Sequence, residues 1–152
     1  MLREVEAHLT AGAKEVVLTG VDLTSWGHDL PSEPRLGTLV AAILAAFPGL
    51  PRLRLSSVDG IEIDAGLFDL LAYEPRVMPH LHLSLQHGAD LILKRMKRRH
   101  LRQQALDVIA RARTLWPGIG IGADLIAGFP TETDVLFNET LAFVEEARIP
   151  YV

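Results

Sequence analysis

The stretch HLHLSLQ at residues 80–86 places a leucine at every second position and a polar side chain between each pair. Successive side chains of a β-strand point to opposite faces, so this pattern predicts a strand with one leucine face and one polar face. The polar face carries His80, His82, Ser84 and Gln86. Such a face lies either in solvent or against a cavity that holds a ligand, and the rest of the sequence decides between the two.

Strands and helices alternate along the chain on both sides of this stretch. The predicted strands are residues 15–20, 52–57, 80–86 and 119–129, and the final IPYV opens another. The predicted helices are residues 2–11, 36–47, 65–74, 90–97, 102–115 and 132–147, the last with Thr131 as its N-cap. Strand and helix repeat at intervals of roughly 30–40 residues, the size of a βα unit. This repeat predicts an α/β fold with parallel strands.

Two more of the predicted strands also have a polar or glycine-rich face. These faces carry Arg52, Arg54 and Ser56 on one strand and Gly120, Gly122 and Asp124 on the other. Parallel strands that helices cover on both faces normally read as continuous apolar runs, so the polar faces should converge on an interior that water or a ligand fills. A closed, packed barrel would place Val, Ile and Leu there. We therefore predict an open or partial barrel, with a doubly wound sheet as the alternative.

Composition excludes several classes of protein. The 152 residues include no cysteine and carry a net charge of −4. Without cysteine there is no disulfide, no thiol nucleophile and no thiolate ligand for zinc or an iron–sulfur cluster. The negative charge confines any nucleic-acid contact to a local patch, and no apolar run reaches the roughly 18–20 residues of a membrane span. We expect a cytoplasmic protein without membrane contacts.

Four blocks of sequence together resemble one known family. They read TGVDLTSWG from residue 19, LRLSSVDG from residue 53, HLHLSLQHGADLILKRMKRRH from residue 80 and GADLIAGFPTET from residue 122. In this order they resemble the radical S-adenosylmethionine methylthiotransferases, in particular the branch that acts on threonylcarbamoyladenosine in tRNA, beside the anticodon. The resemblance implies that a methylthio group replaces the hydrogen at carbon two of this adenosine. It also implies S-adenosylmethionine and 4Fe-4S clusters as cofactors, and tRNA and a sulfur donor as partners.

The resemblance further implies a partial, six-stranded α/β barrel that is open on one side. Residues 1–152 would form part of one such radical S-adenosylmethionine core domain. The three-cysteine cluster motif of the family is absent from the sequence. We therefore expect these residues to lack the family's first strand with the cluster cysteines, its N-terminal domain and its C-terminal RNA-binding domain. The isolated chain would then be inactive.

By the same resemblance, the strand ends contact S-adenosylmethionine. The implied contacts are Gly20 and Asp22 for the methionine amine, Asp59 for the ribose hydroxyls, Gln86 and Arg98 for the ribose and the methionine carboxylate, and Ile126, Gly128 and Phe129 for the adenine. Asp59 departs from the family pattern, which usually has Glu, but either carboxylate can accept from hydroxyl groups. No catalytic residue and no metal ligand is predicted within the chain itself.

Two other functions stay open on the residues alone. His80 and His82, together with Asp59 or Asp124, would suit a metal-dependent hydrolase built on a barrel. The run KRMKRRHLR at residues 94–102 has six Lys or Arg and no acid, and it would suit a non-catalytic module that binds RNA or a protein partner. In a methylthiotransferase, the same run would be solvated or contact tRNA, apart from its cofactor-binding arginine. The open strand edges of an incomplete barrel also predict a homodimer.

Overall fold

The computed structural model describes residues 1–152. The helices are α1 (Leu2–Thr10), α2 (Leu36–Ala46), α3 (Ala65–Tyr73), α4 (Asp90–Arg95), α5 (Arg102–Leu115) and α6 (Asp134–Ala147). The strands are β1 (Glu15–Leu18), β2 (Arg52–Leu55), β3 (Ser57–Val58), β4 (His80–Gln86) and β5 (Gly120–Leu125). Every predicted helix is present, as are the first four predicted strands, the second of them in two pieces, and β4 and α5 have their predicted bounds. No helix is both long and apolar enough to cross a membrane.

All strand pairs are parallel, and the strands lie side by side in chain order. β1 pairs with β2, and β4 lies between β3 and β5. The predicted strand 52–57 is interrupted at Ser56, whose N–H donates to Leu18 O at 2.8 Å. Leu53 connects the two sheets, because its N–H donates to Arg76 O at 2.7 Å and its carbonyl accepts from Met78 N at 2.9 Å. A doubly wound sheet reverses strand order at its centre. Sequential order is that of a barrel wall, and it confirms the open barrel with parallel strands.

The leucine faces of the strands pack against the helices. Leu81, Leu83 and Leu85 of β4 are each no more than 2% exposed, and Leu53 of β2 is fully buried. They belong to a hydrophobic core of 29 residues that includes the apolar sides of the helices. Burial of one such side chain stabilises the fold by roughly 1.5–3 kcal/mol. A shift of one residue would move the whole leucine set to the other face, so this packing fixes the register of β4.

The polar face of β4 lies on the opposite side of the sheet, as predicted. His80, His82, Ser84 and Gln86 alternate with the leucines and are half-buried. Glycine on β5 makes room for the imidazoles, because His82 is paired with Gly122 in the ladder and a Cβ at that glycine would lie 2.6 Å from His82 Nδ1. The polar side chains therefore line one continuous, partly accessible surface.

The start of α6 differs from the prediction that Thr131 is its N-cap. Thr133 occupies that position, and its hydroxyl accepts from Leu136 N at 3.5 Å. Thr131 instead has a left-handed φ of 75°, and its hydroxyl accepts from Arg95 Nη1 at 2.7 Å. Two threonines two residues apart are equally good caps from the sequence alone. The left-handed backbone of Thr131, whose hydroxyl contacts Arg95, decides between them.

At the end of the chain, Tyr151 forms an isolated parallel bridge with Gly122 of β5. The predicted strand start in IPYV is therefore present as a single bridge. It adds to the wall in the same direction and the same order as the other strands.

Candidate functional site

A polar pocket of about 200 Å³ opens at the carboxyl ends of the strands. Asp22, Asp59, Gln86 and Arg98, four of the predicted cofactor contacts, line this pocket together. Ligands of parallel α/β folds collect at this end of the strands. A larger groove of about 610 Å³ lies between α2 and α3, away from the strand ends. The charged groups that the sequence singled out are in the smaller pocket.

Asp59 and Arg98 form an ion pair in the wall of the pocket. Arg98 Nη2 lies 3.2 Å from Asp59 Oδ2 and donates to Ser84 O at 3.1 Å. The other oxygen of Asp59 accepts from Ile61 N at 3.4 Å and caps the 3₁₀ turn Gly60–Glu62. The two side chains are only 11% and 28% exposed. Nε of the Arg98 guanidinium is buried without a partner, and an unused buried donor is unfavourable until an acceptor fills it.

Asp22 and Gln86 face the pocket from backbone turns. The Asp22 carboxylate accepts from Ser25 Oγ at 2.7 Å and from Thr24 Oγ1 at 3.4 Å, which holds the turn after β1. Gln86 ends β4 in a left-handed conformation with φ of 67°, next to a register irregularity that begins at Leu83. Such conformations cost a residue other than glycine of the order of 1–3 kcal/mol and cluster at ligand sites. The turn aims the Gln86 side chain at the pocket.

The remaining predicted contacts do not line the pocket itself, and Ile126 instead lines an apolar cavity between the end of β5 and α6. Gly20 immediately precedes Val21, which lines it. Ile126 N donates to Gln86 O at 2.8 Å, so the segment after β5 begins beside the pocket. Gly128 has a φ of 76°, a conformation that favours glycine, and Phe129 follows it. All eight predicted residues therefore lie on the side of the sheet where the strands end.

Sequence reasoning missed a buried imidazole–carboxylate pair that follows β4. His87 Nε2 lies 2.8 Å from Glu132 Oε1, and the two side chains are 0% and 6% exposed. The hydrogen bond with His87, followed by those from the Gly128 and Phe129 amides, holds the pKa of Glu132 below its usual range. Both residues stand in the sequence blocks described above, but no local pattern connects positions 45 residues apart.

Most of the basic run 94–102 is engaged within the protein. Four arginines contact groups of other elements: Arg95 with Thr131, Arg98 with Asp59, Arg99 with Glu62, and Arg102 with Glu146. The two lysines, Lys94 and Lys97, have no acidic partner. The run therefore mainly anchors loops to one another, and it leaves two lysines for contact with an external anion.

At the opposite end of the polar face, one carboxylate of β1 pairs with two arginines of β2. Glu15 accepts from Arg52 Nε at 2.8 Å and from Arg54 Nε at 2.9 Å. The hydrogen bond with Arg52, together with Arg54, holds the pKa of Glu15 below its usual range. These contacts link the two strands and leave no unused carboxylate oxygen.

The histidines of β4 lie close to this cluster. Their ring centroids are 6.2 Å apart, and His82 Nε2 lies 3.1 Å from Asp124 Oδ1. Burial, with added repulsion from His82 and Arg54, lowers the pKa of His80. No group of three or more His, Asp or Glu side chains is arranged to hold a metal ion. The ligand set that a metal-dependent hydrolase would need from His80, His82 and an aspartate is not formed.

A wall of parallel strands in chain order, with a polar pocket at the strand carboxyl ends, defines a partial (βα) barrel that binds its ligand at the strand ends. The family described as the Radical SAM superfamily matches residues 1–144. The chain belongs to this superfamily, whose members use S-adenosylmethionine and a 4Fe-4S cluster.

Three relatives show where in the superfamily the chain falls. The chain is 46% identical over 152 residues to the threonylcarbamoyladenosine tRNA methylthiotransferase MtaB of Rickettsia prowazekii. The alignment covers 100% of this chain and 36% of that protein. The chain is 41% identical over 148 residues to the ribosomal protein uS12 methylthiotransferase RimO of Geobacter sulfurreducens. This alignment covers 97% of the chain and 33% of that protein. The chain is 39% identical over 148 residues to the tRNA-2-methylthio-N(6)-dimethylallyladenosine synthase of Clavibacter sepedonicus. This alignment covers 97% of the chain and 28% of that protein. The resemblance to the radical S-adenosylmethionine methylthiotransferases is confirmed, and the chain spans about a third of the length of these relatives.

Proposed function

We propose that this chain is part of the S-adenosylmethionine-binding core of a methylthiotransferase that acts on tRNA. Its substrate would be threonylcarbamoyladenosine beside the anticodon, with the methylthio group added at carbon two. Relatives that carry this substrate in their name, from Rickettsia prowazekii at 46% identity and Thermotoga maritima at 38%, support the choice. The whole protein would also need a sulfur donor, and it would work in the cytoplasm, where tRNA is modified.

The observation that carries the proposal is the polar pocket at the strand ends. S-adenosylmethionine presents ribose hydroxyls, an amine and a carboxylate, and the pocket offers a complementary group for each. The carboxylates of Asp22 and Asp59 accept from the amine and the hydroxyls, the Gln86 amide serves the ribose, and the Arg98 guanidinium matches the carboxylate.

When bound, S-adenosylmethionine and its cluster supply the radical chemistry, and the protein supplies binding and orientation. The chain contains no cysteine, so it has no thiolate to hold a 4Fe-4S cluster. We therefore propose that residues 1–152 orient the cofactor within a larger active protein, and that the isolated chain is inactive. Strand β1 is paired on one side only, with β2, and this open edge supports a homodimer of the isolated chain through strand edges.

The proposal is tested by the affinity of the full-length, cluster-reconstituted protein for S-adenosylmethionine, measured by calorimetry. Arg98→Ala removes a guanidinium that would bind the carboxylate of S-adenosylmethionine. We expect the affinity to fall at least about tenfold, because the loss of one charge-assisted hydrogen bond weakens binding by about that factor. Lys97→Ala removes a neighbouring exposed cation and serves as the matched control, with affinity unchanged. Equal affinities for the wild type and Arg98→Ala would contradict the proposed role.

A further inference from the structure

The end of β4 is joined to the loop after β5 by hydrogen bonds that converge on one carboxylate. Glu132 Oε1 accepts from His87 Nε2 at 2.8 Å. Glu132 Oε2 accepts from the backbone amides of Gly128 and of Phe129, the latter at 3.2 Å. Glu132 therefore closes its own loop and fastens that loop to the neighbouring strand.

The contacts of His87 fix which ring nitrogen carries the proton. Ala89 N–H donates to His87 Nδ1 at 2.9 Å, so Nδ1 is the acceptor. Nε2 then carries the hydrogen and donates it to Glu132. Thr140 Oγ1 lies 3.1 Å from Nδ1 and accepts from Gly88 N at 3.1 Å. The imidazole is thus held in one tautomer and one orientation, aimed at the carboxylate.

Close packing keeps this part of β4 in place. A Cβ on Gly88 would lie 2.6 Å from Thr140 Cα and 2.7 Å from Phe143 Cβ, both closer than carbon atoms pack. The backbone after β4 therefore sits directly on α6. Since Phe143 is fully buried, His87 projects from a rigid position and can serve as a fixed point for the loop.

We propose that His87 and Glu132 are positioning residues that hold the segment Ile126–Phe129 in register with the pocket. The first residue of this segment donates its N–H to Gln86 O at 2.8 Å. The last two donate theirs to Glu132. The segment is therefore tied at one end to Gln86, the last residue of β4, and at the other end, through Glu132, to His87, the next residue along the chain. This role rests on the proposed function, in which the segment packs on the adenine of S-adenosylmethionine.

The test uses the full-length, cluster-reconstituted protein and the variant Glu132→Gln. A glutamine amide cannot accept from His87 and from both backbone amides as an ionised carboxylate does. Without ligand, we expect hydrogen exchange at the Gly128 and Phe129 amides to rise at least about tenfold. Affinity for S-adenosylmethionine, measured by calorimetry, should fall at least about tenfold. Glu139→Gln changes an exposed glutamate of α6 and should alter neither quantity.

A second pair of variants separates positioning from general stability. His87→Gln keeps an N–H donor near the place of Nε2 and should retain more affinity than His87→Ala, although both lower the melting temperature. Normal exchange in Glu132→Gln, or faster exchange with wild-type affinity, would overturn the positioning role while leaving the proposed function intact. A wild-type protein that does not bind S-adenosylmethionine would overturn the proposed function itself, and the positioning role with it.

Discussion

The two ends of the polar face use the same kinds of charged residue in opposite ways. At the amino ends of the strands, Glu15 is bonded to both Arg52 and Arg54, which leaves both oxygens of the carboxylate occupied and an excess of one positive charge. At the carboxyl ends, Asp59 and Arg98 are paired, but a donor of the guanidinium has no partner. The first cluster links two strands. The second lines a pocket together with Asp22 and Gln86, and this placement makes it a candidate binding site.

Substitution of β5 glycines measures how tightly the polar face is packed near the amino ends. A Cβ at residue 122 would lie 2.6 Å from His82 Nδ1, whereas one at Gly120 would lie 3.5 Å from His80 Cδ2, an ordinary contact. We expect Gly122→Ala to lower the free energy of unfolding by about 1–3 kcal/mol. The matched Gly120→Ala should change it by no more than about 0.5 kcal/mol. Urea unfolding followed by circular dichroism measures both.

Gly122→Ala should also displace His82 from Asp124, which the imidazole resonances would report. Equal and small effects of the two alanines would mean that the histidines move freely. The polar face would then be loosely packed around His82 as well as at the pocket.

The smaller expected effect concerns Glu15 and pH. Its carboxylate has a lowered pKa in the folded protein because of Arg52 and Arg54. The stabilisation is therefore fully present above the unfolded value of about 4.3 and is lost as the pH falls through the lower folded value. Glu15→Gln should lower the urea midpoint at pH 7, and its difference from the wild type should shrink as the solution is acidified below pH 4.

The affinity of Glu15→Gln for S-adenosylmethionine, measured separately by calorimetry, should equal that of the wild type. Glu15 lies at the end of the polar face opposite the pocket. A midpoint difference that persists unchanged at low pH would show that the carboxylate charge is not the source of the stabilisation. A loss of affinity would place the ligand at the wrong end of the strands.

Local periodicity explains why much of the fold follows from the sequence. The two-residue alternation in β4 is a local property of the strand, so its bounds and both faces are predicted correctly. The carboxyl ends of parallel strands meet at one edge, which is why residues as distant in sequence as Asp22 and Arg98 share one pocket.

Contacts between distant segments explain what sequence reasoning missed. The break between β2 and β3 at Ser56 marks a change of partner, because β2 pairs with β1 whereas β3 pairs with β4. The cap of α6 is Thr133 rather than Thr131, whose left-handed backbone is not that of an N-cap and whose hydroxyl contacts Arg95. The pair of His87 and Glu132 joins two loops whose separate sequences read only as a strand end and a turn. In each case the partner is chosen by the assembled fold.

The most direct test of the account is the electron density of S-adenosylmethionine bound to the full-length, cluster-reconstituted protein. We expect the ribose within hydrogen-bonding distance of Asp59, the methionine carboxylate at Arg98 and the adenine against Ile126–Phe129. Density for the cofactor among Glu15, Arg52 and Arg54, or in the groove between α2 and α3, would contradict the assignment of the strand carboxyl ends as the binding site.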